Sequence, residues 1–106
     1  MIDGRLRVPE AVRAGEPFEV RVLILHPMEN GFRHDAGGRE IPMHIVNRVA
    51  CTYGGHEVFS VDLGTGVSAN PYLVFFVRAA QSGELKVEWV DDTGERGSAS
   101  ANVNVA

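Results

Sequence analysis

Apolar and polar residues alternate with a period of two along most of this chain, and clusters of Gly, Pro, Asn and Asp interrupt the alternation at intervals suited to short antiparallel strands. The pattern predicts seven strands. The first lies near Arg5 to Val8 and is ended by Pro9. The second runs from Phe18 to His26, entered through Gly15-Glu16-Pro17 and closed by Pro27, which has no N–H to give to a ladder. The third spans Met43 to Tyr53, and Gly54-Gly55 forms a two-residue hairpin turn into a fourth, His56 to Leu63. After a turn at Gly64 to Gly66 come Pro71 to Ala80, Leu85 to Asp91 and Arg96 to Val105, separated by Gln81-Ser82-Gly83 and Asp92-Thr93-Gly94. A helical period does not fit: Leu85, Val87 and Trp89 alternate strictly with Lys86 and Glu88, and β-branched residues dominate.

The alternation fails in two places. The second strand begins with Phe18 and Val20 against Glu19 and Arg21, then turns apolar on both faces at Val22-Leu23-Ile24-Leu25. The fifth is apolar on both faces through Tyr72-Leu73-Val74-Phe75-Phe76-Val77. A two-layer sandwich covers one face of each strand, so the second apolar face needs another cover. Either the long connection from His26 to Pro42 folds back over one sheet, or a protein partner sits there. The partner is the preferred reading, because large exposed apolar patches are uncommon on soluble monomers. The connection itself is rich in Gly and charge but holds Met28, Phe32 and flanking prolines, and is expected to be an ordered loop.

With 106 residues the chain is expected to form one domain, residues 1–106, around one core. The fold class expected is all-β: an immunoglobulin-like, fibronectin type III-like, two-sheet antiparallel sandwich of about seven strands, with Trp89 in the core and without the disulfide of antibody domains. Net charge is -4 and the ten Lys and Arg are scattered, which argues against nucleic acid as a partner. The longest apolar run, Tyr72 to Val77, is far short of the roughly 20 residues that cross a bilayer as a helix, so membrane insertion is not expected. Met1 to Arg7 is not followed by the apolar stretch of a secretory signal, and on these residues alone the chain would stay in the cytoplasm.

No catalytic apparatus is expected. Asp91-Asp92 reads as turn chemistry, and Gly37-Gly38 lacks the Gly-Lys-Ser/Thr follow-up of a phosphate loop. Cys51, the lone cysteine, shares the parity of Val49 and Tyr53 and reads as a core residue. A copper site built on Cys51 and His56 is disfavoured, since no Met follows at short range and Cys51 lies in mid-strand. His26, Met28 and His34 could be read as a metal site, but the preferred reading is a locally hydrogen-bonded His26 and a packed Met28. No cofactor or metal is expected.

Several stretches together resemble the SoxZ family: His26-Pro27-Met28-Glu29-Asn30-Gly31, Ile41-Pro42, Cys51-Thr52-Tyr53 with Glu57-Val58-Phe59, Ser68-Ala69-Asn70-Pro71-Tyr72-Leu73, and Trp89-Val90-Asp91-Asp92. The resemblance runs from about Val8 to Val105, and departs from the family pattern at Met43-His44, where basic residues often follow the Ile-Pro pair. It implies the smaller, non-catalytic subunit of the SoxYZ carrier of thiosulfate oxidation, forming a heterodimer with SoxY, which carries sulfur on a cysteine in a Gly-Gly-Cys-Gly-Gly arm. It implies transient partnership with a haem enzyme and a metal hydrolase through that complex, and periplasmic location by co-export with SoxY. The alternatives are a generic immunoglobulin-like binding module and, less favoured, a copper-binding sandwich. The SoxY-facing surface is expected to involve Leu23, Leu25, His26, Met28, Asn70, Tyr72, Phe75 and Phe76. Which parity of the strands faces the partner stays open at this level.

Overall fold

Gly54 and Gly55 both adopt positive φ, 58° and 85°, so the tight turn between them closes a hairpin whose arms are Val46–Tyr53 and His56–Asp62. The computed structural model describes residues 1–106. Its strands are β1 (Gly4–Arg7), β2 (Ala11–Val12), β3 (Pro17–Ile24), β4 (Val46–Tyr53), β5 (His56–Asp62), β6 (Tyr72–Arg78), β7 (Gly83–Asp91) and β8 (Arg96–Val105). They form two sheets, a three-stranded one in the order β1-β3-β6 and a five-stranded one in the order β2-β8-β7-β4-β5. This is the expected immunoglobulin-like sandwich, with two adjustments.

The first adjustment is β2, a two-residue strand that pairs in parallel with the end of β8, Ala11 opposite Asn104 and Val12 opposite Val105. Two residues carry no readable period, and their partner lies at the far end of the chain. The second concerns the start of β4. The ladder begins at Val46 rather than Met43, because His44 pairs with Glu29 through two 2.8 Å backbone hydrogen bonds and Ile45 donates to the Asp92 side chain at 3.1 Å. Likewise the ladder of the second predicted strand stops at Ile24, short of His26.

The inner faces interlock as alternation demands. Val20, Val22 and Ile24 from β3, Phe75 and Val77 from β6, Val46, Val49 and Cys51 from β4, and Leu85, Val87 and Trp89 from β7 are all buried. Trp89 shows how close the fit is. Its indole N–H donates to the Ile2 carbonyl at 3.0 Å, and the ring lies between Gly4 and Gly97. A Cβ on Gly4 would fall 2.5 Å from the indole, and one on Gly97 would fall 2.0 Å from the Ile2 oxygen and 2.2 Å from the indole nitrogen. Both positions therefore require glycine by proximity, not by φ.

The long connection is ordered as a two-armed excursion. Glu29 pairs with His44, Ile41 donates to the Arg33 carbonyl, and Asp35 closes the tip by accepting from the N–H groups of Gly37 and Arg39. It does not fold over the three-stranded sheet, whose outward side chains remain open to solvent.

Candidate functional site

The register of the three-stranded sheet settles which parity points outward. Glu19 lies opposite Phe76, Arg21 opposite Val74 and Leu23 opposite Tyr72, while Arg5 and Arg7 of β1 lie opposite Leu23 and Arg21. Since Val20, Val22, Phe75 and Val77 are buried on the inner side, all of these side chains share the outer face. Tyr72 is 56%, Val74 48% and Phe76 63% exposed, with Leu25 beyond the strand end at 44%. An apolar strip along β6 thus stands uncovered.

Of the residues predicted for a partner surface, Leu23, Leu25, Tyr72 and Phe76 lie on this face, Leu23 half-buried between its neighbours. Asn70 is exposed beside it, held at φ 54° with its side-chain oxygen accepting from the His26 N–H at 3.0 Å. Phe75, His26 and Met28 need correction, because all three are buried. Phe75 has the opposite parity to Phe76 and stacks on Phe59 with ring centroids 4.1 Å apart. Val74, Arg5, Arg7 and Arg21 were not among the predicted residues. The alternation of Arg5 with Leu6 and of Arg21 with Val22 carried their signal, but only the pairing of β1 with β3 puts them beside the apolar strip.

His26 and Met28 belong instead to a polar cluster at one end of the core. Asp91 is fully enclosed, and its two oxygens divide their work. Oδ1 accepts from the Thr93 hydroxyl at 2.6 Å and from the N–H groups of Thr93 and Glu95 at 2.9 Å, which is the expected turn chemistry. Oδ2 lies 3.4 Å from His26 Nε2 and 3.5 Å from His44 Nε2, and the two imidazoles sit 4.4 Å apart. His44 Nδ1 lies 3.2 Å from Asp92 Oδ1. The sequence reading missed His44 in this group because the return arm of the excursion is what delivers it.

Two imidazoles and a carboxylate at this spacing are a metal-ligand set in composition. The hydrogen bonding fits another role. The Met28 N–H donates to His26 Nδ1 at 3.0 Å, so that lone pair is used and the ring proton sits on Nε2, facing Asp91. A cation at Nε2 needs the lone pair that this proton occupies. Met28 takes φ 52° to make the bond, and its sulfur accepts from the Val46 N–H at 3.2 Å. As arranged, the group is a clamp that fastens the base of the excursion to the end of β7. His34, exposed on the excursion opposite Glu40, stands outside it.

Burial raises the Asp91 pKa, but the hydrogen bonds from the Thr93 hydroxyl, the Glu95 and Thr93 N–H groups and His26 lower it by more, leaving it below the ordinary carboxylate value. A carboxylate with a depressed folded-state pKa contributes stability that is fully present above its unfolded value, about 3.9, and is lost as pH falls through the folded value. Asp91→Asn is therefore expected to melt below wild type at pH 7, with the gap in melting temperature closing as pH drops below about 4. A gap independent of pH would assign the loss to packing alone.

Cys51 is fully enclosed in the core, and burial pushes its thiol pKa up to about 11. At pH 8 only about one thiol in a thousand is then ionised. Native protein should resist a thiol reagent over the time in which urea-unfolded protein reacts stoichiometrically, a difference readable by absorbance with an aromatic disulfide.

A family model described as "Sulphur oxidation protein SoxZ" matches residues 6–102. Among curated proteins no significant sequence match was found. Solved structures that resemble the fold include three of note. A superoxide reductase (neelaredoxin) from Ignicoccus hospitalis superposes with a TM-score of 0.73 at 22% identity, covering 97% of this chain and 80% of that one. A putative superoxide reductase from Thermotoga maritima gives 0.74 at 15%, covering 97% and 85%. The sulfur carrier protein SoxY from Chlorobium limicola f thiosulfatophilum gives 0.65 at 16%, covering 97% and 78%. At these identities the likenesses speak for the sandwich fold alone.

Proposed function

The chain belongs to the SoxZ family, and on that premise we propose that it is the non-catalytic subunit of a SoxYZ sulfur carrier, binding SoxY through the apolar strip of β6 on the outer side of its sheet. The observation that carries this reading is the apolar strip of Tyr72, Val74 and Phe76 along β6, left uncovered by the rest of the fold. Exposed aromatic side chains on a rigid strand are the usual anchors of a stable interface. A flat sheet face lets several of them be buried together without rearrangement. The interface is expected to bury on the order of 1,600 Å² in total.

In this division of labour the sulfur is held by a cysteine of SoxY, and this chain helps present that group to the enzymes of thiosulfate oxidation in the periplasm. Its own Cys51 takes no part, being enclosed and protonated at neutral pH. Accordingly Cys51→Ser should fold, assemble and support sulfur transfer through SoxY at close to the wild-type rate.

Co-expression with SoxY followed by size-exclusion chromatography tests the reading. Co-elution at the mass of a heterodimer is expected. A chain that stays a soluble monomer in the presence of SoxY would overturn it.

A further inference from the structure

The outer face that carries the apolar strip also carries a net positive charge on an acidic chain. Among strand residues pointing out of this sheet are Arg5, Arg7, Arg21 and Arg78 against the single acid Glu19, a balance of +3. The whole chain has a net charge of -4, so the remainder stands at -7. Like-signed charges at neighbouring positions of a sheet repel and are destabilising unless something neutralises them.

Three of these arginines converge on one groove. Arg5, Arg7 and Arg21, with Leu6, Leu23 and Tyr72, line a depression of about 550 Å³. Arg7 lies directly opposite Arg21 across the β1-β3 ladder, and Arg5 is diagonal to it on the same face. The Arg21 guanidinium is held by Glu19, with the Tyr72 phenol beside it, and these neighbours raise its pKa further. Arg5 and Arg7 take part in no salt bridge. The groove therefore has one positioned cation, two free ones and a phenolic hydroxyl, beside the half-buried side chain of Leu23.

We propose that this groove is an oxyanion-binding site, and that its ligand is a tetrahedral sulfur oxyanion of the thiosulfate or sulfonate class. Planar guanidinium forks bind oxyanions with paired hydrogen bonds, and three of them approaching from two strands satisfy an anion with several terminal oxygens better than a single carboxylate. The apolar surface of Leu23 suits the weakly hydrated sulfur end. Tyr72 belongs to both groove and apolar strip, so a partner seated on the strip would close one side of the groove and shield the anion from water and salt. The choice of a sulfur anion rests on the sulfur-carrier reading above; the existence of an anion site rests on the arginines alone. The anion reaches the groove either free in solution or as the terminal sulfonate of a group carried by SoxY.

The test uses the full chain labelled with nitrogen-15, titrated with sodium thiosulfate at an ionic strength held constant with sodium chloride. Saturable shifts of the side-chain Nε–H signals of Arg5, Arg7 and Arg21 are expected, with Arg13, Arg39 and Arg96 unmoved. The double variant Arg5→Gln with Arg7→Gln should weaken binding by about tenfold or more while keeping its melting temperature and its association with SoxY. Phe76→Asp should do the reverse, losing SoxY and keeping the thiosulfate response, so the two readings fail separately. A second arm repeats the measurement on the complex, with free thiosulfate and with the SoxY thiol converted to its S-sulfonate. Arg5, Arg7 and Arg21 signals that respond to the free anion identify the solution source, and signals that respond only to the S-sulfonate identify the carried one. A uniform drift of all arginine signals, undiminished binding by the double variant, or a double variant that loses SoxY would each overturn the proposal.

Discussion

Replacing Trp89 by alanine is expected to cost about 3 to 5 kcal/mol of folding stability and to lower the melting temperature by on the order of 20 °C. The indole is 1% exposed and is the largest fully buried side chain. Its removal does more than open a cavity. The Ile2 carbonyl loses the indole N–H that satisfies it, and Gly4 and Gly97, placed to admit the ring, have no side chains with which to refill the space. The N-terminal segment is tied to the start of β8 by the Ile2 N–H to Arg96 bond at 3.0 Å, so loss of the indole loosens the edge of both sheets. Circular dichroism melts of wild type and variant check this, and a shift of only a few degrees would show that the ring is not a central support.

The second large effect is on association. Phe76→Asp should weaken the complex with SoxY by about a hundredfold or more, as expected when a central aromatic anchor is lost and a charge is buried in its place. The side chain is 63% exposed and faces away from the core, so the free chain should lose no more than about 1 kcal/mol, from the new charge opposite Glu19. Phe75 supplies the control. It is 6% exposed and stacked on Phe59, so Phe75→Ala should lower the melting temperature whether or not SoxY is present. Surface plasmon resonance with immobilised SoxY, beside thermal melts, separates the two. If Phe76→Asp binds SoxY as tightly as wild type, the partner does not sit on this face.

The contrast between these neighbouring phenylalanines marks how far the sequence could be read. Alternation gave seven strands, the glycine turn at Gly54-Gly55 and the inward direction of Trp89, because period and turn chemistry are local. It identified the strands with two apolar faces but could not say which face was spare, since Tyr72 to Val77 offers no polar residue to mark the solvent side. The pairing of Leu23 with Tyr72 decides that, and pairing is set by contacts nearly fifty residues apart in the chain. The same limit hid the clamp. Asp91 was legible as a turn residue from its own neighbours, whereas its second oxygen meets His26 and His44, which arrive from another strand end and from the returning arm of the excursion.

Strand β6 lies at the edge of its sheet, so one row of its backbone N–H and C=O groups is unpaired. Its run Tyr72-Leu73-Val74-Phe75-Phe76-Val77 contains no charge, proline or glycine and closes with Arg78. That is the composition of segments that stack into cross-β fibrils, presented on an open edge. Chain synthesised in excess of its partner presents this edge uncovered, opposed by the residues that flank the run, Pro71 before it and Arg78 after it.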